Sequence, residues 1–372
     1  MDADEHALAA TLYCMEAIQS GVTTFVENDT EVLWDDWSPI EAKLDVYDRS
    51  GIRNVYGAGM VDRAADATFQ KLVTDIQARE ESVDHPPLDA FVEDTDDVVA
   101  EVDALIESYH GTAGGRQSIW PAPVVVETTT NRGFQAAYEL AEKHDVMTTA
   151  HVAEAEAQEQ RSISSIEYLR NVGYLGERAL LGHCVQIDQR DVRLLAETGT
   201  SVAHNYMANM RLATGFAPVS SMLDTGVTVG LGTDNSILSD TVNPLGDVRA
   251  MASGHKGYHR DASVVPAQTA FDMVTIDAAA AIGRQEHLGS LETGKLADIA
   301  IVDLDYPHLT PCSDPVFALV HAAQGFEVDT VICDGNVIME DREITSFEVS
   351  VDSVLSQATR TAADLVERTG FE

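Results

Sequence analysis

Basic residues are scarce in this sequence: 5 of its 372 residues are lysine and 18 are arginine, against 62 aspartates and glutamates. The formal net charge at pH 7 is −39. Such a surface offers little to hold a phosphate backbone and repels an anionic membrane, which argues against nucleic acids and membranes as partners. Because the acidic residues are spread along the whole chain, we expect a surface adapted to concentrated salt, where screening reduces self-repulsion.

Cysteine motifs, long apolar runs and targeting signals are also missing. The four cysteines (Cys14, Cys184, Cys312 and Cys333) form no CxxC pair and are too scattered for a disulfide scaffold. No apolar run approaches about 18 residues, and the N-terminus has no basic region followed by an apolar one. These absences predict a cytoplasmic protein without a transmembrane helix or a signal peptide.

Several catalytic motifs are absent too. There is no GxSxG nucleophile elbow and no Pro-Cys-x-x-Cys deaminase signature, and Gly230-x-Gly232 lacks the third glycine of a nucleotide loop. His255 and His259 have the i, i+4 spacing of a metal clip, but no acidic residue completes an HExxH motif. We expect that pair to lie on an exposed loop or helix.

Short apolar runs alternate with helical patterns along most of the chain. The predicted strands lie at 22–26, 52–60, 118–126, 146–151, 179–185, 201–204 and 227–233. Strands that alternate with helices of this length indicate a parallel sheet. Seven such βα units fit the α/β class and a TIM (β/α)8-type barrel better than an open doubly wound sheet.

The pattern changes after about residue 285. Residues 297–304 and 330–338 alternate in β fashion, with turn residues Asp334-Gly335-Asn336 inside the second run, and 350–368 is an amphipathic helical pattern. We therefore predict a barrel domain over 1–285, a partial β-sandwich over 286–345 and a C-terminal helix over 346–372.

Polar side chains follow four successive predicted strands. His151 and Glu154 follow one strand, His183 the next and His204 the third, with Asn209 just beyond; Asp234 follows the last strand. The loops after barrel strands form the open mouth of the site, so these side chains should converge there. Imidazoles and carboxylates together can hold a divalent metal, activate water and transfer protons. One such histidine alone would usually be structural, but their convergence predicts an active site.

Several sequence segments resemble the amidohydrolase superfamily, and within it the heterocycle aminohydrolases. That branch includes chlorotriazine and hydroxytriazine hydrolases, guanine deaminase and the methylthioadenosine/S-adenosylhomocysteine deaminases. The segments are Ser-Gly-Val-Thr-Thr-Phe (20–25), His-Val-Ala-Glu (151–154), Leu-Gly-His-Cys (181–184), Val-Ala-His-Asn-Tyr-Met-Ala-Asn-Met-Arg-Leu (202–212), Gly-Leu-Gly-Thr-Asp (230–234) and Gly-Ser-Leu-Glu-Thr-Gly-Lys-Leu-Ala-Asp (289–298).

The resemblance implies a role for each of the matching residues. His151 and Asp234 would be ligands of one divalent metal, zinc or iron, and Asp234 could also accept a proton. Glu154 would be the proton shuttle, and His183 would polarise the scissile group or orient the attacking hydroxide. Asn209 would lie near the substrate.

The expected reaction is metal-dependent hydrolysis of a carbon–nitrogen or carbon–chlorine bond in a nitrogen heterocycle, most simply hydrolytic deamination. We expect the small heterocyclic substrate to contact Trp120, His204 and Asn209. The purine-nucleoside deaminases of this branch carry a histidine in the stretch that here reads Trp120–Val124, so adenine nucleosides are not the expected substrates. A cyclic-amide amidohydrolase and a catalytically incomplete relative remain as alternatives.

The family pattern begins with a barrel strand that carries His-x-His, and no His-x-His occurs in the 372 residues. We therefore expect the first barrel strand to be missing from the sequence as given, through a start codon placed too far downstream, with a split gene or a decayed copy as alternatives. Two ligands are fewer than catalytic zinc sites use, so the bound metal should be well below one per chain. The exposed barrel edge favours aggregation or pairing with another chain, including a second copy in a homo-oligomer.

Overall fold

The computed structural model describes residues 1–29, 36–64, 92–156, 162–234 and 241–369. The sequence of residues 64–82 has an acidic helical pattern, and this stretch lies outside the described residues except at its first position. The α-helices are α1 (Ala3–Gln19), α2 (Ser38–Ser50), α3 (Thr95–Tyr109), α4 (Asn131–His144), α5 (Ser165–Val172), α6 (Gln189–Thr198), α7 (Tyr206–Arg211), α8 (Val219–Thr225), α9 (Pro244–His259), α10 (Ala267–Asp272), α11 (Ile276–Ala281), α12 (Pro315–His321) and α13 (Val351–Thr369), with a short helical turn at Thr112–Gly115.

Seven parallel strands form the barrel wall within the described residues. They are β1 (Thr24–Asn28), β2 (Arg53–Met60), β3 (Gln117–Pro123), β4 (Thr148–Val152), β5 (Ala179–His183), β6 (Ser201–His204) and β7 (Val229–Leu231). β1, β2 and β3 pair in that order, as do β4 to β7. A parallel bridge between Val125 and His151 joins the two sets. The seven predicted βα units are thus confirmed.

The interior of the barrel is apolar below the mouth. One buried cluster takes side chains from three strands, from the residues before β4 and from the ends of α4 and α11, and half-buried side chains of two further strands pack against it. The buried members are Val55, Trp120, Ala141, Val146, Met147, Leu180 and Ala281, and the half-buried strand residues are Val26 and Ala203. A cluster to which strands around the whole wall contribute must lie inside the barrel. Side chains alternate along a strand, so these positions identify which neighbours face outward.

Helices cover the outer face of the wall, and their ends follow from local sequence. Asp188 caps α6 in a capping box with Asp191, and Ser164 caps α5. Gly173 and Gly199 end these two helices in the left-handed conformation, with φ of 82° and 72°, which glycine adopts without a Cβ penalty. At each of these helix ends the backbone turns into the next strand, which runs in the same direction as the strand before it. All seven barrel strands therefore end at one rim.

A separate antiparallel sheet follows the barrel strands. It contains β8 (Ile299–Val302), β9 (Val328–Cys333), β10 (Asn336–Glu340) and β11 (Glu343–Ile344), in the order β11-β10-β9-β8. Asp334 and Gly335 turn β9 into β10 with φ of 51° and 78°, as the sequence predicted. A buried ion pair joins this sheet to the start of β2, where Arg53 Nη2 lies 3.2 Å from Asp298 Oδ1.

No helix among the described residues is both long enough and apolar enough to span a bilayer.

Candidate active site

The site lies at the carboxyl ends of β4 to β7. The structure brings together His151 from β4, Glu154 just after it, His183 from β5, and Asp234 just after β7. Asn205 and Asn209, which follow β6, lie among them. The sequence predicted this convergence from strand ends alone.

His183 is the centre of the cluster. Its side chain is 1% exposed, and its Nδ1 atom lies 3.0 Å from Asn209 Oδ1 and 3.7 Å from Glu154 Oε1. On the other side of the ring, Nε2 lies 3.8 Å from Asp234 Oδ2. An amide oxygen can only accept a hydrogen bond, so Nδ1–H donates to Asn209 in this orientation of the amide, and the neutral form of the ring then has a lone pair at Nε2, on the side of Asp234.

Asn205 is a site residue to which the sequence analysis gave no role. Its Nδ2 atom lies 3.5 Å from His183 Nε2 and 3.4 Å from Asp234 Oδ2, so it can donate to both. A Cβ at Gly232 would come within 2.4 Å of Asn205 Oδ1, so a glycine there makes room for the amide. The available signal was the position of Asn205 directly after β6, the same criterion that selected His151 and His183.

The backbone is strained where it delivers these side chains. His183 has φ of 70°, Cys184 of 48°, Asp234 of 61° and Ala153 of 51°. The left-handed conformation costs a residue with a Cβ about 1–2 kcal/mol, and such residues concentrate at functional sites. Three strands of one rim, β4, β5 and β7, carry this strain at their carboxyl ends.

His151 presents one edge of its ring to the protein. Its Nδ1 atom lies 3.0 Å from the carbonyl oxygen of Val124 and 3.2 Å from Asn28 Nδ2. Its ring is stacked on that of His183, with centroids 5.5 Å apart. Burial, reinforced by the neighbouring His183, lowers the pKa of His151. A neutral imidazole whose Nδ1–H is bonded to a carbonyl has its Nε2 lone pair available for a ligand.

Two of the predicted substrate contacts lie away from this cluster. His204 is 1% exposed, and its Nε2 atom lies 3.2 Å from His255 Nε2 on α9, outside the barrel wall. Trp120 belongs to the apolar interior cluster below the mouth. His255 is on a helix, as expected, but the expectation that it is exposed is wrong: it is fully buried because its face of α9 packs over the end of β6.

The donor set at the mouth is of the kind that zinc uses: two imidazoles, His151 and His183, with the carboxylates of Asp234 and Glu154. Among the described residues, one group of three such side chains has its ligand atoms within 4.8 Å of one another, and it lies elsewhere, at Asp103, Glu107 and His144. There the ammonium of Lys143 already contacts Asp103, at 2.6 Å. The donor atoms at the mouth are of suitable types for zinc but lie farther apart than those of this group.

Comparison with known proteins gives consistent matches. Residues 1–338 match the amidohydrolase family. The chain is 36% identical over 325 residues to an S-triazine hydrolase of Gordonia rubripertincta, covering 87% of this chain and 67% of that protein. It is 33% identical over 375 residues to a 5-methylthioadenosine/S-adenosylhomocysteine deaminase of Haloarcula marismortui, covering 100% of this chain and 78% of that protein.

Solved structures agree with the sequence matches. An atrazine chlorohydrolase from Arthrobacter aurescens TC1, complexed with zinc, superimposes with a TM-score of 0.84 at 25% identity, covering 97% of this chain and 77% of that one. An adenosine deaminase from Xanthomonas campestris with bound zinc has the same fold, with a TM-score of 0.82. The fold, the residues at the barrel mouth and these matches show that the chain belongs to the amidohydrolase family.

Proposed function

We propose that the protein is a metal-dependent hydrolase that deaminates or dechlorinates a small nitrogen heterocycle. The observation that carries this proposal is the position of His183, buried at the rim with Glu154 and Asp234 each within 4 Å. The relatives of this chain include heterocycle hydrolases and deaminases, and for such chemistry the arrangement provides two carboxylates that can carry protons beside an imidazole.

The metal, zinc by analogy with the zinc-bound structures, would be held by His151 and Asp234. His151 fits because its Nδ1 edge faces Val124 and Asn28, which leaves Nε2 for the metal. Asp234 fits because its carboxylate reaches the mouth from the end of β7. When bound, the metal would make water more acidic and stabilise negative charge as it develops.

Glu154 is the proton carrier in this proposal. Its carboxylate would accept a proton from the attacking water as the water oxygen bonds to the ring carbon. It would then give that proton to the departing amino nitrogen as the carbon–nitrogen bond breaks, so that ammonia leaves and a hydroxyl replaces the amino group. With chloride as the leaving group, the second proton transfer is not needed.

His183 would orient the attacking water. Because Asn209 accepts from Nδ1–H, the Nε2 lone pair faces Asp234 and can accept a hydrogen bond from that water. This assigns His183 to orienting the nucleophile rather than to donating to the scissile group. Asp234 Oδ2, which lies 3.8 Å from Nε2, could hold the hydroxyl proton during the attack and return it to the product.

For the substrate, we propose a free base or other small heterocycle in preference to an adenine nucleoside. The stretch Trp120–Val124 has no histidine, and Trp120 forms part of the apolar floor under the mouth. Asn209 and Asn205 would set the polar side of the pocket, whereas His204 faces away from it. A cyclic-amide reaction with two metals bridged by a carboxylated lysine has less support. The described lysines (Lys43, Lys143, Lys256 and Lys295) all lie off the barrel strands.

We also propose the setting in which the enzyme works. The charge of −39 supports a salt-adapted cytoplasmic protein that binds neither nucleic acid nor membranes, and self-association to a homo-oligomer is compatible with it. For the chain organisation, we propose a hydrolase barrel over 1–285, a partial sandwich over 286–345 and a terminal helical segment over 346–372.

The proposal is tested by incubating the protein, with zinc and concentrated salt, with amino- and chloro-substituted triazines, pyrimidines and purines. Ammonia and chloride are measured, and methylthioadenosine is included as the nucleoside. Release from a free heterocycle supports the proposal. Efficient deamination of methylthioadenosine would overturn the substrate preference, and cleavage of cyclic amides alone would overturn the reaction.

A further inference from the structure

Asn28 and His151 meet across the barrel mouth although they are 123 residues apart in sequence. Asn28 ends β1 and His151 lies near the end of β4. The Asn28 amide and the Val124 carbonyl both face the Nδ1 atom of His151, at 3.2 and 3.0 Å. One edge of this imidazole is therefore enclosed by protein, and the opposite edge, with Nε2, faces away from both groups.

The two partners together define the tautomer of His151. The Val124 carbonyl can only accept, so its contact favours a hydrogen on Nδ1. Asn28 can then accept a hydrogen bond from Nδ1–H only through its oxygen. That atom, Oδ1, is buried and has no hydrogen-bond partner among the described residues. Rotation of the amide by 180° exchanges its nitrogen and oxygen and places Oδ1 at Nδ1–H. In that orientation both neighbours stabilise the tautomer that leaves Nε2 free.

The end of β1 is held by a cluster of charged side chains on either side of Asn28. Lys43 Nζ, on α2, lies 3.0 Å from Glu27 Oε1 and also contacts Asp29. The Lys43 side chain is 10% exposed. Burial alone would lower its pKa, but the two carboxylates outweigh burial and raise it, so the ammonium is charged.

Two tyrosines complete this cluster from α2 and β2. Tyr47 donates to Glu27 Oε2 at 2.8 Å, and Tyr56 donates to Asp29 Oδ2 at 2.6 Å. Glu27 and Asp29 are thus tied to the outer layer, and alternation along the strand turns the residue between them inward. The cluster therefore holds the last residue of β1, Asn28, with its side chain directed toward His151.

We propose that Asn28 is a positioning residue for His151. This role rests on the proposed metal-dependent function: Asn28 holds the imidazole of His151 in the Nδ1–H tautomer and in the orientation that presents Nε2 to the metal. Groups that hydrogen-bond a metal-ligating histidine in this way typically change metal affinity by 10- to 100-fold. Nothing in the family motifs quoted above assigns this position, which lies on a different strand from the residues with catalytic roles.

The test compares Asn28→Leu, which has similar size but no acceptor, with Asn28→Asp, which keeps an acceptor. Asn171→Leu, on the exposed face of α5, is the control. Two measurements are made: ¹⁵N NMR of the histidine side chains in the metal-free protein, with His151 assigned through His151→Gln, and zinc affinity by calorimetry. Circular dichroism melting verifies that each variant is folded.

We expect the unsubstituted protein to show His151 as the Nδ1–H tautomer. Asn28→Leu should give a mixture of tautomers and about tenfold weaker zinc binding, and Asn28→Asp should restore both. A His151 with bare Nδ1 in the unsubstituted protein, or unchanged tautomer and zinc affinity in Asn28→Leu, would overturn the proposal. Absence of zinc binding in every form would instead count against the proposed function, and the tautomer measurement would still decide the role of Asn28.

Discussion

The Nδ1 atom of His183 lies 3.0 Å from the Oδ1 atom of Asn209, and both side chains are buried. In this orientation of the amide, Nδ1–H donates to Asn209, and a neutral ring then has its Nε2 lone pair for a hydrogen bond from a water. The sequence allowed either role for His183, and the role that we propose is orientation of the attacking water.

Replacing Asn209 should therefore impair turnover more than substrate binding. In Asn209→Leu we expect kcat to fall about 10- to 100-fold with a smaller change in KM, because the ring loses its fixed tautomer. Asn209→Asp keeps an acceptor and should recover much of the loss. Steady-state kinetics of both variants test this. Equal kcat in Asn209→Leu and the unsubstituted protein would show that Asn209 has no role in the mechanism.

Asp234 should be needed for metal binding rather than only for proton transfer. Since catalytic zinc sites usually have three protein ligands, two hold zinc weakly, and purified protein should contain well below one zinc per chain. Asp234→Ala should weaken zinc binding by more than about tenfold, whereas the exposed control Asp224→Ala should not. Elemental analysis and calorimetry measure both. Stoichiometric, tightly held zinc, or unaltered affinity in Asp234→Ala, would show that other residues form the site.

The buried pair His204 and His255 should make the fold sensitive to acid. Burial, with smaller contributions from His259 and Lys256, lowers the pKa of His255 to about 4. A histidine whose pKa is lower when folded stabilises the protein above its unfolded pKa of about 6.5, and this contribution is lost as the pH falls toward 4. For His255 the loss is roughly 3 kcal/mol at most. Burial also lowers the pKa of His204, well below its usual value.

Urea denaturation between pH 7.5 and 4.5 measures this loss. His255→Leu should flatten the dependence of the unfolding free energy on pH, because it removes one of the titrating groups. His287→Leu, at an exposed position, should leave that dependence unchanged. The same slope in His255→Leu and in the unsubstituted protein would mean that other groups cause the acid sensitivity.

Concentrated salt should stabilise the fold. The net charge of −39 produces self-repulsion that ions screen within about 3 Å at 1 M and only within about 30 Å at 0.01 M. We expect far-UV circular dichroism to show loss of helix on dialysis from molar KCl into dilute buffer. Sucrose, which is uncharged, should protect less than KCl. Full retention of structure in dilute buffer would contradict the interpretation that the protein is adapted to concentrated salt.

The barrel was predictable because its signal is local. Each strand of the wall is a short apolar run between helical patterns, and the residues directly after β4, β5 and β7 are the ones that meet at the mouth. The turn at Asp334-Gly335 was predictable for the same reason. Contacts between distant strands were not, and Asn28 against His151 is the clearest example.

The direction of a side chain at a strand end was the harder part. Ala203 faces the barrel interior, so alternation turns His204 outward against α9, away from the mouth where we had placed it. His183 should likewise face outward, because Leu180 faces inward. Its left-handed backbone, with φ of 70°, breaks that alternation. Sequence periodicity carries no information about such a local departure.

The central claim is that Glu154 carries protons in hydrolysis at this barrel mouth. Its most direct test is ammonia release from the best amino-heterocycle of the panel, with zinc and concentrated salt, by three proteins: the unsubstituted chain, Glu154→Gln and Glu156→Gln. Glu156 is exposed and two residues away. We predict that Glu154→Gln loses about 10²- to 10⁴-fold in kcat at unchanged zinc affinity and that Glu156→Gln remains active. Near-normal ammonia release by Glu154→Gln, or release of neither ammonia nor chloride from any heterocycle by the unsubstituted chain, would contradict the account.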